Sequence, residues 1–379
     1  MDSNSMMIED EELEADSSIR DDIPFEPTKL QIASKVMLLD LLMRRIKSKA
    51  LDLQPDFQRS MGVWSILKQS RLIESLLMRI PIPSFYFDAS NEDHWLVVDG
   101  LQRLSTIRDF IDEKFALVNL EFLHDFEGLK FSQLPPTMQR RIEETEFVCY
   151  QIMPNTPSRV KFEIFRRINT GGNNLTPQEM RHALYVGPIT DLLKEMVSLR
   201  EFQEATSNGI PSQRMADREC ALRYLAFLSI NPAMYEKKDL DVFLCDYMKA
   251  FNESNKADTQ CLNSTAELEL FKEVMSTAFK IFGKLAFRKV IKIEGGRMPP
   301  ISKALFEAWS VNLAKLKKAE RTLLVARRDV LIRKFEKLLC EDVEFTQSIT
   351  HSTGHVTNVR RRFTTIKTIM EEVLNATAS

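Results

Sequence analysis

Glycine is scarce in this chain, with eleven in 379 residues, about 3% against a usual ~7%. Together with 24 Phe and 17 Met, that shortage disfavours a turn-rich β-sandwich and favours a mostly helical protein. Cysteine is used sparingly too. Cys149, Cys220, Cys245, Cys261 and Cys340 are odd in number, scattered, and form no CxxC pair. That argues against a disulfide framework or zinc ribbon and suits a reducing cytoplasm. No apolar run approaches the roughly 18 residues of a membrane span, so no membrane partner is expected. The acidic N-terminus lacks the basic and apolar regions of a signal peptide. GxxxxGK[ST], HExxH and GxSxG do not occur, which removes the P-loop, the zincin helix and the nucleophile elbow. The histidines are dispersed. His351 and His355 lie four apart, but Gly354 between them makes a helical metal pair improbable.

What is present is a charge split. The formal net charge of −2 conceals nine acids and one base in residues 1–22, which leaves +6 for the rest. Residues 1–24 therefore read as a disordered acidic tail. The length suits two domains. The spacing predicts an α+β domain over 25–188 and an all-helical domain over 189–379.

In the first domain, Val36, Leu39, Leu42, Met43 and Ile46 recur at helical spacing. Leu51–Arg59 is extended, with Pro55 against helix. A second helix carries Leu72, Ile73, Leu76, Leu77 and Ile80 and stops at Pro81 and Pro83. Ser84–Asp88, His94–Val98 and Phe147–Met153 are strand candidates. A helix starts near Leu101, and another spans Val160–Ile168. Thr176 can cap a helix begun by Pro177, with Glu179 as its capping-box partner. Further on, helices are expected at Thr190–Ser198, Asp217–Leu228, Lys238–Glu253, Thr265–Phe282, Lys303–Ala319, Ala319–Leu339 and Val359–Ala376.

Three segments could carry chemistry. In Trp95–Phe110 (WLVVDGLQRLSTIRDF), a buried strand delivers Asp99 and Gly100 to a helix start, where free N–H groups and the helix dipole favour an anion. Arg103 adds a bidentate donor for phosphate oxygens. Asp99 could bind Mg²⁺ or orient a water, and Gln102 could position one. The same residues also read as an N-cap, a turn glycine and a solvated arginine. The second segment is Asn169-Thr170-Gly171-Gly172, a polar loop able to present several N–H groups, or simply a connector. The third is Leu53–Trp64, whose Gln58 and Arg59 could reach a phosphate or base, or form a structural salt bridge. In the helical half, Lys315–Lys337 holds nine bases and three acids. Arg327, Arg328, Arg333 and Lys334, with Arg360-Arg361-Arg362, could contact DNA phosphates or form a solvated face.

Taken in order, PDFQR with Trp64, SLLMRIPIPSFYF, VVDGLQRLSTI and FRRINTGGNNLTPQEMR resemble the DUF262 family. That is the amino-terminal domain of GmrSD-type restriction endonucleases, similar to the ParB/sulfiredoxin fold. The resemblance covers about 29–188 and continues more weakly through Arg214–Phe227, Phe282–Arg288 and Lys303–Trp309. It implies a ParB-like domain with a small mixed sheet. It also implies a pocket that binds and hydrolyses a nucleoside triphosphate with Mg²⁺, in prokaryotic DNA defence. Asp99, Gly100, Gln102 and Arg103 match the family's DGQQR motif, with Leu101 replacing its first Gln. Gln58 and Arg59 match its QR, and Asn169–Gly172 its RINTGG loop. Glu179 and Arg181 match the acidic and basic residues that follow. No His-Asn-His constellation is seen, so a partner nuclease is expected in place of an HNH module. The alternatives are a non-hydrolysing, nucleotide-gated DNA-binding adaptor and a ParB-like DNA-nicking nuclease.

Overall fold

The helix expected from Val36 onward gives up its first turn to a strand. In the computed structural model, β1 spans Ile32–Leu38 and α1 only Leu39–Lys47. Val36 is 62% exposed on the edge of the sheet. The residues described are 31–53, 64–154, 156–168, 175–237, 239–255, 261–290 and 298–376. The acidic tail, Gln58, Arg59 and the Asn169–Gly172 loop lie outside them. The chain divides into two compact units, with the boundary between Leu184 and Tyr185.

The first unit continues with β2 (Leu51–Asp52), α2 (Ile66–Leu77), β3 (Phe85–Asp88), β4 (Trp95–Asp99), α3 (Leu101–Ile111), α4 (Pro136–Glu143), β5 (Glu146–Ile152), α5 (Ser158–Ile168) and α6 (Pro177–Leu184). It is α+β, with a mixed sheet in the order β1-β5-β3-β4-β2. β1 runs antiparallel to β5, and β3 is parallel to β5 but antiparallel to β4. Alternation sorts each strand into two faces. Phe85, Phe87, Phe147 and Cys149 are buried together, and Phe85 meets Phe147 edge-on at 5.0 Å. α2 packs against α3 and α4, burying Ile73, Leu76, Leu104 and Ile107. α2 ends earlier than its apolar spacing predicts. Arg79 takes φ +60°, and Ile80 falls outside the helix and is exposed.

One carboxylate on α2 organises the loop after α3. Glu74 is buried, and its Oε1 accepts the N–H groups of Phe122 (2.7 Å) and Leu123 (3.0 Å) while Oε2 accepts that of Glu121 (3.1 Å). Burial alone would raise its carboxyl. The amides of Leu123 and Phe122 and the Arg71 guanidinium outweigh that and hold it below the ordinary value. A depressed carboxyl contributes stability that is complete above the unfolded-chain pKa, about 4.3, and lost as pH falls through the folded value. Glu74→Gln is expected to cost about 1–3 kcal/mol at pH 7. Urea midpoints of the two proteins should converge as pH falls below about 4.3, the unfolded-chain value. A gap of constant size would mean that the charge is not what holds the loop.

The second unit holds, among the described residues, α7 (Pro188–Ser198), α8 (Arg200–Thr206), α9 (Ala216–Leu228), α10 (Leu240–Ser254), α11 (Cys261–Phe282), α12 (Lys303–Ala314), α13 (Lys318–Ala326), α14 (Arg328–Glu341), α15 (Val343–Ser348) and α16 (Val356–Asn375), with one isolated bridge, Arg288–Ile301. α12 packs against α9, α11 and α16 and is buried on every side from Ala304 to Leu313, as a central helix must be. Trp309 on it contacts Phe282 (4.8 Å) and Phe335 (5.2 Å) edge-on. The single helix expected over Ala319–Leu339 is two, broken at Arg327 (φ −103°, ψ 20°). Among the described residues, no helix is long and apolar enough to cross a membrane.

Candidate functional site

Asp99 closes β4 and Gly100 turns the chain into α3. The turn depends on a bulge. Phe87 pairs with Val97, but the next pair is Tyr86 with Asp99, so Val98 is the extra residue. A bulge re-aims the side chain that follows it, and here it brings Asp99 into the row of Tyr86 instead of that of Val97. Register extends the row across four strands, from Asp99 through Tyr86 and Tyr150 to Ser34. Tyr86 and Tyr150 are half-buried and stack at 4.8 Å with 18° between their planes.

Arg103 anchors this corner. Its Nη2 donates to Asp99 Oδ2 (2.7 Å) and to the Ser84 carbonyl (3.3 Å), and its Nη1 donates to the Pro83 carbonyl. The guanidinium also lies over the Phe85 ring at 4.9 Å, and the side chain is 11% exposed. The expectation of a free phosphate-binding fork meets an arginine already engaged with four groups. Burial raises the Asp99 carboxyl against the opposing effects of Arg103 and the Gly100 amide. Burial likewise lowers the Arg103 guanidinium against the pull of Asp99.

Gly100 has φ +100°, and the space where its side chain would stand is filled by the Phe85 ring. The close approach that requires glycine is thus made by the protein's own core. No side chain caps the N-terminus of α3. Gln102, in the first turn, accepts the Trp64 N–H at 3.4 Å, which ties α3 to the chain emerging from the Gln58–Arg59 segment. Leu101 is buried, so the position that departs from the family motif turns into the domain.

Past the Asn169–Gly172 segment, the expected capping box is present. Glu179 N donates to Thr176 Oγ1 (3.2 Å), and Thr176 N to Glu179 Oε2 (2.7 Å). Glu179 and Arg181 are fully buried, and Arg181 Nε donates to Gln178 Oε1 at 2.9 Å. These two residues hold the entry to α6. On α5, Lys161 pairs with Asp88 at 3.3 Å and also contacts Ser90, fixing that helix to the end of β3. Neither this pair nor the two tyrosines figured among the candidates read from the sequence. The signal for the tyrosines was available, because in SFYFD the alternation puts Tyr86 on the face opposite Phe85 and Phe87.

Residues 38–186 match the family described as GmrSD restriction endonuclease, N-terminal domain. This segment is a GmrSD N-terminal domain. The family associates it with restriction-type defence systems. No curated protein and no solved structure matches the chain.

Outside the GmrSD domain, the basic residues of the helical unit are largely paired within it. Arg327 donates to the carbonyls of Val373 (2.7 Å) and Leu374 (3.1 Å) at the end of α16, and Lys334 pairs with Glu372 at 2.7 Å. Arg328 lies 3.7 Å from Asp329, and Arg333 is exposed. Arg360 donates to the Tyr235 carbonyl (2.8 Å), and Arg361 pairs with Asp342 (2.9 Å) and Glu344 (3.1 Å). Arg362 is fully buried against Glu307. Among the described residues, no group of three or more His, Cys, Asp or Glu is arranged to hold a metal ion.

Proposed function

We propose that the GmrSD domain is ParB/sulfiredoxin-like and binds and hydrolyses a nucleoside triphosphate at the β4–α3 corner, as part of a DNA-defence system. The observation that carries this reading is Asp99, turned by a bulge to the start of an uncapped helix and held there by Arg103. The first-turn N–H groups of α3 and the positive end of its dipole receive phosphate oxygens. Arg103 acts chiefly by fixing Asp99 and adding positive charge behind it. Gln102 orients a water, and Gln58, Arg59 and Asn169, Thr170, Gly171 and Gly172 close the pocket. Glu179 and Arg181 support that loop from α6.

Mg²⁺ fits this donor set through one carboxylate. The ion is commonly held by one or two carboxylates together with substrate phosphates and water, and Asp99 supplies one. When bound, it neutralises charge on the transferring phosphoryl group. Leu101 is buried, and this reading assigns the chemistry to the polar groups beside it and not to the position where the family has Gln. DNA, and a nuclease acting beside this chain, are its proposed partners. Arg333 is the strongest DNA contact among Arg327, Arg328, Arg333 and Lys334, since the others have protein partners.

The test is nucleotide binding and phosphate release by the full chain with Mg²⁺, beside Asp99→Asn and Arg103→Ala. Asp99→Asn is expected to slow phosphate release at least tenfold while the protein stays folded by circular dichroism. Equal turnover in all three proteins would sink the assignment. Tight binding without phosphate release would make the protein a nucleotide sensor.

A further inference from the structure

The helical unit holds a cluster of polar groups that the phosphate chemistry does not use. α7 packs against α9, α10 and α11, and α9 also packs against α10. α7 buries Leu192, Leu193 and Met196. The other three helices each bring one ionisable side chain to the group: Tyr224 from α9, Tyr247 from α10 and Glu267 from α11. Burial raises the Tyr224 and Tyr247 phenols, and Glu267 is near enough to raise both further. Phe271, one turn beyond Glu267, meets the Tyr224 ring at 4.9 Å. Tyr224 and Phe271 have no exposed surface, while Tyr247 and Glu267 are half-buried. Two oxygens of the cluster are orphaned. The Tyr224 hydroxyl and Glu267 Oε2 are both buried and have no hydrogen-bond partner, although buried polar atoms nearly always find one. Burial, unopposed by any base, pushes the Glu267 carboxyl above its ordinary value. Arg321, the base that Tyr224 does feel, is committed to Glu273 (2.5 Å) and to the Leu316 carbonyl (2.7 Å). A carboxyl oxygen turned inward without a partner costs free energy, and a cost of that kind kept inside a helical core points to function.

We propose that Tyr224, Tyr247 and Glu267 form a binding site for the primary ammonium group of a small molecule. A primary ammonium has three N–H donors and no acceptor. Three helices here supply three oxygens, one of them from a carboxyl. Glu267 Oε2 accepts a charge-assisted hydrogen bond, and the two phenol oxygens accept the others. The Tyr224 and Phe271 rings stand beside the cation, which aromatic faces attract. Ligand sites in helical bundles are built in this way, from side chains on facing helices. The site belongs to the helical unit and does not depend on the nucleotide corner of the GmrSD domain.

The experiment is thermal unfolding of the full chain titrated with n-butylammonium, tetramethylammonium and potassium chlorides at fixed ionic strength. n-Butylammonium is expected to raise the melting temperature saturably. Tetramethylammonium, which has no N–H, and potassium should leave it unchanged. Glu267→Gln keeps the shape and removes the charge. Without amine it should melt no lower than the parent, and it should bind n-butylammonium at least about tenfold more weakly, the worth of one charged hydrogen bond. Tyr224→Phe keeps the ring and removes one acceptor, so it should bind about three- to tenfold more weakly. The absence of a saturable shift in the parent would overturn the proposal, as would an equal shift in Glu267→Gln. A shift with potassium as large as that with n-butylammonium would make this an alkali-cation site and overturn it. So would a Glu267→Gln protein that melts well below the parent, because the carboxyl would then be structural.

Discussion

Glu307→Leu is expected to destabilise the helical unit by about 3–5 kcal/mol, because it strands a buried guanidinium. Glu307 and Arg362 have no exposed side-chain surface. Arg362 Nε donates to Glu307 Oε1 at 3.0 Å, and its Nη1 to the carbonyls of Thr353 (2.6 Å) and Ser348 (3.3 Å). Arg223 reaches Glu307 Oε2 at 3.4 Å and is itself held by Glu219 at 2.8 Å, which Lys303 also approaches at 3.2 Å. The network joins α9, α12 and α16 at the centre of the unit. Removing Glu307 leaves Arg362 with backbone carbonyls alone, whereas Arg223 keeps Glu219. The double variant Glu307→Leu, Arg362→Met removes both members of the pair and should recover most of the loss. A double-mutant cycle read from urea unfolding should give a coupling of about 1–3 kcal/mol. Strict additivity would mean the two charges act independently. Neutralising Arg362 to test DNA binding would therefore report unfolding. Arg333→Ala is the cleaner probe of a phosphate contact.

That network also marks where the sequence is hard to read. Arg360-Arg361-Arg362 stands out as a basic run, but its first two members pair on the surface and the third enters the core. A run of charges shows composition and not direction, and the partner of Arg362 lies 55 residues away. Arg103 poses the same problem. Its place in the first helical turn is legible, but the carbonyls that engage it belong to Pro83 and Ser84, about one strand pair earlier. Local features were easier. β3, β4, β5 and α3 are bounded by Pro, Asp-Gly and alternating aromatic residues. The Thr176–Glu179 box is a short-range motif that needs no tertiary contact. β1 was obscured because Val36 continues the apolar spacing of α1. Only pairing with β5 makes Ile32–Leu38 extended, and tertiary pairing overrides such a period. The break at Arg327 has no Gly or Pro to announce it. The bulge that turns Asp99 is equally silent, because it is a property of two strands in register.

Gly100→Ala is expected to lower stability by about 2–5 kcal/mol through two separable effects. A φ of +100° is a conformation that a Cβ disfavours by roughly 1–2 kcal/mol. An added Cβ would also stand 2.7 Å from Phe85 Cε1, and nearer still to Cδ1. The core would have to shift Phe85, and such overpacking costs typically about 1–3 kcal/mol. Gly128 separates the two effects. It has φ +80°, but nothing lies within 4 Å of where an alanine methyl would stand, so Gly128→Ala should lose only the backbone part. In a domain of this size, 1 kcal/mol corresponds to about 2–4 °C in melting temperature. Taking about 3 °C per kcal/mol, Gly100→Ala should therefore melt about 6–15 °C below the parent, and Gly128→Ala about 3–6 °C below. Function adds a second distinction. Phe85 lies under the Arg103 guanidinium, and Arg103 holds Asp99, so moving Phe85 disturbs the carboxylate at the proposed phosphate site. At a temperature where both variants are folded, Gly100→Ala should weaken nucleotide binding and Gly128→Ala should not. Equal binding by both would mean that the ring, the guanidinium and the carboxylate are not mechanically linked.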